Sequence, residues 1–205
     1  MARDNPDEAW RDTTRPKADA LPRECVLSPQ VRLIGWVDEE MLRSMLDQLA
    51  KLTGEEKTVA VEISTLGGDA EIGRRMILEM DLVRERLPKC RFVFVGKSAV
   101  YSAGTTLMSA FPVHDRFLTN EAVLLLHCRQ LEKTVELSGP IRSSLPLVEA
   151  LCHQIKTGIE LELEHFKRLI TGSNVSIEEL LERALYNWYL SSEEALRRGL
   201  IAGIV

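Results

Sequence analysis

The pattern of hydrophobic residues predicts an α/β protein whose strands form a parallel β-sheet. Short runs of consecutive apolar residues alternate with longer segments in which apolar residues recur every three or four positions. The runs are typical of strands buried on both faces, and the longer segments are typical of amphipathic helices. Because strands and helices alternate, we expect parallel strands with helices covering the sheet.

Two strand–helix units are predicted in the first half of the chain. Residues 31–37 and 58–63 are rich in β-branched and apolar residues, which favours strands. Asp38 is a suitable N-cap for the first helix, whose apolar residues have helical spacing (Met41, Leu42, Met45, Leu46, Leu49). The second helix covers about residues 70–86 and is ended by Pro88.

Two further strands and a mostly helical C-terminal third are predicted in the second half. The strands cover residues 92–95 and 122–126. A long helix rich in Leu, Glu and Lys covers about residues 145–171. Ser176 and Ser191 each begin a Ser-x-x-Glu capping box, which indicates that a shorter helix starts at each of them.

One domain preceded by an arm is the predicted organisation. Residues 1–25 are charged, contain proline and lack periodicity, so we expect a flexible N-terminal arm. Its one large apolar residue, Trp10, is either an exposed side chain or a docking anchor. Residues 26–205 then form a single α/β domain, which a candidate edge strand at 200–205 completes.

Composition excludes several classes of function. The 205 residues include 26 Lys and Arg against 31 Asp and Glu, with 5% aromatic residues, so nothing indicates a nucleic-acid surface. No apolar run is long enough to cross a bilayer, and the N-terminus does not resemble a signal peptide. We expect a cytoplasmic protein whose cysteines are reduced and bind no metal, because they lie far apart (Cys25, Cys90, Cys128, Cys152).

Adjacent glycines mark the first segment that could carry chemistry. Gly67, Gly68 and Asp69 lie in the turn between a predicted strand and a predicted helix. Adjacent glycines let the backbone approach a ligand and direct N–H groups into a cleft, although the same pair also occurs in plain tight turns. The spacing matches neither the dinucleotide-binding nor the P-loop motif.

A serine among small residues marks the second segment. Ser102 precedes Ala103 and Gly104, between a predicted strand and an apolar helical stretch. A serine at such a helix start is accessible to a substrate carbonyl, and neighbouring N–H groups can stabilise an oxyanion. The alternative is that Ser102 simply caps the helix. Ser98 and Ser109 are rival serines, but Ser109 lies within the apolar stretch.

A histidine at the end of a strand marks the third segment. His127 directly follows the strand at 122–126, and ligands in α/β sheets bind at the carboxyl edge of the strands. A structural role is the alternative. His153 and His165 fall in the long helix without the spacing of metal ligands, so no metal site is expected.

In their order and spacing, these segments resemble the proteolytic subunit of the Clp protease, a serine peptidase family of the ClpP/crotonase superfamily. The resemblance covers about residues 31–205. It rests on residues 59–69, 100–104, 120–127, 190–195 and 199–201.

The resemblance implies a parallel-sheet β-β-α superhelix with a C-terminal helical region, and it implies roles for individual residues. Ser102 would be the nucleophile and His127 the general base. The backbone N–H groups of Gly68 and Ala103 would form the oxyanion hole. A substrate strand would pair beside the segment from Gly67 through Gly68 to Asp69.

One departure from the family concerns the third member of the triad. Asn187 stands where the family has an aspartate; its carbonyl can orient an imidazole but supplies no charge. Glu132 or Glu136 is an acidic alternative. Residues 128–144 also differ from the family. In the family this region leads into the helix that packs two rings of subunits against each other, so the resemblance leaves the double ring in question.

The function implied by the resemblance is a peptidase subunit without a cofactor. It would hydrolyse unfolded polypeptide within a homo-oligomeric ring, supplied by an AAA+ unfoldase that holds the nucleotide. Two alternatives remain. The chain could be a non-catalytic ring or scaffold subunit, or a crotonase-type acyl-CoA enzyme whose N–H groups hold a thioester enolate.

Overall fold

The structure, a computed structural model, describes residues 21–205. Trp10 and most of the predicted arm lie outside the described residues. Helix α1 (Arg23–Leu27) falls at the end of that arm, and it packs Cys25 against the sheet together with Leu21. The folded domain therefore includes the last five residues that the sequence pattern assigns to the arm.

A mostly parallel sheet forms the centre of the domain, as predicted. Its strands in the described chain are β1 (Val31–Ile34), β2 (Thr58–Thr65), β3 (Arg91–Tyr101), β4 (Arg116–Leu118), β5 (Val123–Leu126), β6 (Trp188–Ser191) and β7 (Gly203–Ile204). The order is β1-β2-β3-β4-β7, with every neighbouring pair parallel. Strand β5 also pairs with β3, and β6 joins β5 in the antiparallel direction.

Helices follow the strands at the predicted places. After α1 they are α2 (Glu39–Ala50), α3 (Ala70–Arg86), α4 (Ala103–Met108), α5 (Ile141–Ile170), α6 (Ile177–Ala184) and α7 (Ser192–Arg197). Asp38 accepts the N–H of Met41 at 2.9 Å, which confirms the predicted cap of α2. Ser176 and Ser191 cap α6 and α7 in the same way.

Strand β3 is much longer than the predicted strand at 92–95 because it has two partners in succession. Its first part, Phe94 to Gly96, pairs with β4, and its last part, Ala99 to Tyr101, pairs with β5. Between them, Ser98 has a φ of +61°, where the strand changes partner. The second part of β3 thus leads directly to Ser102.

The main apolar core lies between the sheet and helices α2, α3 and α4, with the C-terminal elements packed beside it. A smaller cluster covers the opposite face, where α1 packs on β2, β3 and β4. Only the last part of α5 enters the core, through Phe166 and Leu169. Much of the first half of α5 exposes apolar side chains, Ile141 and Leu145 among them.

Arg116 connects the C-terminal half of the chain to the sheet. Its side chain is almost completely buried, at 1% exposure. Its guanidinium donates to the carbonyls of Phe111 at 2.7 Å, Leu169 at 2.6 Å and Leu200 at 3.3 Å. One side chain therefore joins the loop after α4, the end of α5 and the segment before β7.

Replacing Arg116 by methionine should destabilise the fold. The change removes three charge-assisted hydrogen bonds and leaves buried carbonyls unpaired, so we expect a loss of about 3–5 kcal/mol in the free energy of unfolding. Urea unfolding followed by tryptophan fluorescence measures it. Arg43→Met is the matched control: its ion pair with Glu39 is exposed, and its loss should stay within about 0.5 kcal/mol. Equal losses in the two variants would contradict the role of Arg116.

Candidate active site

Ser102 lies where β3 ends and α4 begins. Its N–H donates to the carbonyl of Leu125 at 3.0 Å, so β5 fixes its position. Its carbonyl accepts the N–H groups of Thr105 and Thr106. Its side chain makes no capping hydrogen bond, although the residue occupies the N-cap position. The capping role considered from the sequence does not engage the hydroxyl, which is left available for chemistry.

The backbone of Ser102 is strained. Its φ of +54° and ψ of −114° lie outside the regions that residues other than glycine prefer. A conformation of this kind costs about 1–3 kcal/mol and persists only where the surrounding structure imposes it. Here the hydrogen bond to Leu125 and the start of α4 impose it, and the half-buried side chain lies at the turn.

The two glycines after β2 are held between Val37 and Ser102. The N–H of Val37 donates to the carbonyl of Gly67 at 2.9 Å, and the N–H of Asp69 donates to the carbonyl of Val37 at 2.8 Å. A Cβ atom on Gly68 would lie 2.3 Å from the carbonyl oxygen of Val37. A Cβ atom on Gly67 would lie 2.9 Å from the Cβ of Ser102. Only glycine fits at either position.

Two backbone N–H groups near Ser102 are free to donate hydrogen bonds to an anionic oxygen. Because Val37 engages the groups on either side of it, the N–H of Gly68 makes no hydrogen bond within residues 21–205. Ala103 is the first residue of α4, so its N–H has no acceptor within the helix. The side chain of Asp69 caps α3 by accepting the N–H groups of Glu71 and Ile72.

His127 directly follows β5. Its Nδ1 lies 2.7 Å from the carbonyl oxygen of the next residue, Cys128. A carbonyl can only accept, so this contact requires a proton on Nδ1, and in the neutral imidazole Nε2 is then the nitrogen with the free lone pair. The half-buried ring is thus held in the tautomer that a general base of this kind needs.

Asn187 and His127 lie directly beyond the last residue pair of strands β5 and β6. Strands β5 and β6 pair Leu126 with Trp188, and continuing this antiparallel register sets His127 opposite Asn187. Asn187 has a φ of +61°, a conformation in which asparagine is enriched. Its side chain is exposed, and no hydrogen bond links it to His127 among the described residues.

The three predicted triad positions therefore lie at the same end of neighbouring strands: Ser102 follows β3, His127 follows β5 and Asn187 precedes the antiparallel β6. The side chains of Ser102, His127 and Asn187 form no hydrogen bonds with one another. Glu132 and Glu136, the acidic alternatives to Asn187, are exposed in the segment before α5. Groups of three or more potential metal ligands do not occur in the described part of the chain.

Comparison with known proteins decides the family. The model of the Clp protease family matches residues 21–205, nearly the whole chain. The chain belongs to the Clp protease family.

A solved structure shows the same fold. It is ClpP1 of Listeria monocytogenes, determined as a mutant in which an asparagine is changed to aspartate. That structure is 19% identical to this chain, with a TM-score of 0.67, and the match covers 85% of this chain and 90% of that one. No curated protein sequence matches the chain. The Clp protease family is one of peptide-degrading hydrolases that are generally oligomeric.

A group of residues in this Clp protease fold, missed by the sequence motifs, surrounds the segment after His127. Glu162 on α5 is buried and accepts the N–H of Arg129. Burial and the neighbouring Glu162, to which its thiol hydrogen-bonds, raise the pKa of Cys128. Glu162 therefore holds the two residues that follow His127.

An ion pair connects the segment after His127 to α3. The guanidinium of Arg129 donates to Glu71 at 2.6 Å, and this hydrogen bond lowers the pKa of the Glu71 carboxyl. Glu71 stands two residues after Asp69, so the segment after His127 and the glycine turn are connected across the site. From the sequence, Arg129 is only a departure from the family pattern, because its partners lie 58 and 33 positions away.

The glycine turn provides the sharpest structural test of the site. Gly68→Ala should cost about 3 kcal/mol or more in the free energy of unfolding, because the new methyl group overlaps backbone atoms of Val37 that cannot move aside. Chemical unfolding measures the effect.

Gly158→Ala is the matched control for this substitution. Gly158 lies in α5 with no atom near the position of an added Cβ, so alanine should be neutral or stabilise the helix by up to about 1 kcal/mol. If the two alanine variants unfold at the same denaturant concentration, the close contact between Gly68 and Val37 does not exist in solution.

Proposed function

We propose that the chain is a Clp-type serine endopeptidase subunit that cleaves peptide bonds through an acyl-enzyme at Ser102. The observation that carries the proposal is the hydroxyl of Ser102, which is not used for capping and lies beside two unpaired N–H groups. A strained turn that presents an unengaged hydroxyl is typical of a nucleophile rather than of a structural serine.

In the proposed mechanism, Nε2 of His127 takes the proton of Ser102 as its Oγ attacks the substrate carbonyl. The oxyanion of the tetrahedral intermediate is stabilised by the N–H groups of Gly68 and Ala103, and each such donor contributes roughly 10²–10³-fold to the rate. His127 then gives its proton to the leaving amine. A water molecule, deprotonated by His127, releases the acyl group and restores Ser102.

The orientation of His127 is shared between two groups in this proposal. The carbonyl of Cys128 accepts the Nδ1 proton and keeps the ring in the required tautomer. The amide of Asn187, one position beyond the paired residues of β6, acts as a weak orienter. Neither group is charged, so the imidazolium formed during the reaction gains little electrostatic stabilisation, and we expect a slow peptidase.

Substrate would bind as an extended strand beside Gly67, Gly68 and Asp69. Val37 already pairs with one edge of this segment, which leaves the backbone groups of Gly68 on the other edge for an incoming peptide. Recognition by backbone pairing reads few side chains and suits a peptidase that accepts many sequences.

The family supports the proposed setting. We expect a homo-oligomeric ring in the cytoplasm that receives unfolded polypeptide from an AAA+ unfoldase, with the nucleotide bound by that partner and no cofactor in this chain. Among the described residues, no helix has the length and apolar character needed to cross a membrane. The match to the Clp protease family disfavours the crotonase-type alternative.

A non-catalytic ring subunit is the second candidate function. The observation in its favour is that Ser102, His127 and the exposed Asn187 make no hydrogen bonds with one another. In a peptidase, catalytic hydrogen bonds are often long or poorly aligned until substrate binds and tightens them.

Labelling with a fluorophosphonate separates these two functions. Wild-type protein should gain one covalent label on Ser102, located by mass spectrometry of the digested protein, and Ser102→Ala should gain none. Ser98→Gly is the control: Ser98 is exposed and has a positive φ that glycine accepts, so this variant should label like wild type. Folded wild-type protein that takes no label would favour the non-catalytic subunit.

Restoring a negative charge opposite His127 should raise the activity. Asn187→Asp should increase the rate of hydrolysis of a fluorogenic peptide by at least about tenfold, since the reverse change in a trypsin-type triad costs about 10⁴. The same exchange of residue types was made in the similar Listeria structure.

Asn120→Asp is the matched control for the charge. Asn120 is exposed just before β5, at the other end of that strand from His127, so its substitution should leave the rate unchanged. An unchanged or lower rate in Asn187→Asp would show that Asn187 is not the third member of the triad.

A further inference from the structure

A cavity of about 650 Å³ lies at the far ends of the two helices that begin at the candidate active site. It opens between the last turns of α3, the loop after α4 and the end of α5. Its volume falls within the range of small-molecule sites. The charged lining comprises four arginines and two aspartates, which are Arg84, Arg91, Arg116, Arg168, Asp81 and Asp115.

One carboxylate in this cavity accepts hydrogen bonds from two guanidinium groups. Arg168 donates to Asp81 with Nη2 at 2.8 Å and 3.0 Å from the two carboxylate oxygens. Arg84 donates to the same Asp81 through Nη1 at 3.2 Å. Asp81 can neutralise one of these positive charges, so the other remains uncompensated.

The remaining arginines leave a second positive charge. Arg91 and Asp115 form a simple pair, with Nε 2.6 Å from the carboxylate. Arg116 is buried with only carbonyl oxygens as partners. Burial, and then the nearby charge of Arg168, lowers the pKa of Arg116 to about 10.

Arg84 has unused capacity to donate hydrogen bonds. Its Nη2 is buried and has no hydrogen-bond partner among the described residues. Its guanidinium lies 4.8 Å from the ring centroid of Phe111, which keeps it at the wall of the cavity. The side chains of Arg91 and Arg168 are 31% and 39% exposed, so their charges are accessible to a molecule in the cavity.

We propose that this cavity binds an oxyanion, a small molecule that carries phosphate or carboxylate groups. Arginine is the residue best suited to such groups because its planar donors match two oxygens at once. A ligand with two negative charges would neutralise the excess charge of the lining. The apolar wall formed by Phe111, Pro112 and Val113 would contact an organic part of the ligand.

Isothermal titration calorimetry with inorganic pyrophosphate and with citrate tests the proposal. The titrations are made at constant ionic strength set with sodium chloride, because screening would mask weak charge effects. Saturable binding of pyrophosphate alone indicates a phosphate ligand, and binding of citrate alone a carboxylate ligand. Binding of both indicates a general oxyanion site. The absence of binding by both would overturn the proposal.

Three variants locate the site. Arg84→Met removes a charge but keeps the apolar stem and should weaken binding at least about tenfold. Asp81→Asn removes a negative charge and should strengthen binding. Arg43→Met removes an exposed arginine of α2 that does not line the cavity, so this variant should bind the anions like wild type.

The direction of the change in Asp81→Asn keeps the test decisive if Arg84→Met does not fold. Weaker or unchanged binding in Asp81→Asn would contradict the charge argument, and unchanged binding in folded Arg84→Met would place the anion elsewhere. Circular dichroism of each variant establishes whether it is folded.

Discussion

The close approach of backbone segments around Ser102 determines how the rest of the site is built. A methyl group on Gly68 would overlap Val37, one on Gly67 would meet Ser102, and one on Gly104 would lie 2.5 Å from Cγ2 of Thr65. With these side chains absent, the end of β2 lies against the start of α4. The same contacts use the groups on either side of Gly68 and leave its own N–H unpaired. Within the described chain, the close contact with Val37 thus leaves the N–H of Gly68 unpaired, and the start of α4 leaves that of Ala103 unpaired, as the proposed mechanism requires.

The double pairing of β3 connects this junction to the fold. The first part of the strand pairs with β4, whose Arg116 donates a hydrogen bond to the end of α5. The second part carries Ser102 to β5, and β5 in turn sets His127 opposite the position of Asn187. The three positions come from distant parts of the chain, yet one sheet edge determines where all of them lie. The segment after His127 is held by two contacts of Arg129, whose N–H donates to Glu162 and whose guanidinium donates to Glu71.

Local patterns explain what could be predicted from the sequence. The parallel sheet, the cap at Asp38 and the Clp-type resemblance follow from periodicity and from short motifs around Gly68 and Ser102, and the fold and family are confirmed. Strands β4 (RFL) and β6 (WYLS) are not predicted because each is short and contains a polar residue, unlike the continuous apolar run of β5 (VLLL). The pair of Arg168 with Asp81 joins residues 87 positions apart, and no local motif marks such a contact. The roles of Ser102, His127 and Asn187 stay predictions.

The crystal structure of the protein after reaction with a peptidyl phosphonate tests the central claim most directly. The account predicts a covalent bond between phosphorus and Oγ of Ser102. It also predicts a phosphoryl oxygen about 2.7–3.1 Å from the N atoms of both Gly68 and Ala103, with Nε2 of His127 within hydrogen-bond reach of Oγ. An adduct on another residue would contradict the account, as would a phosphoryl oxygen that contacts neither N–H group.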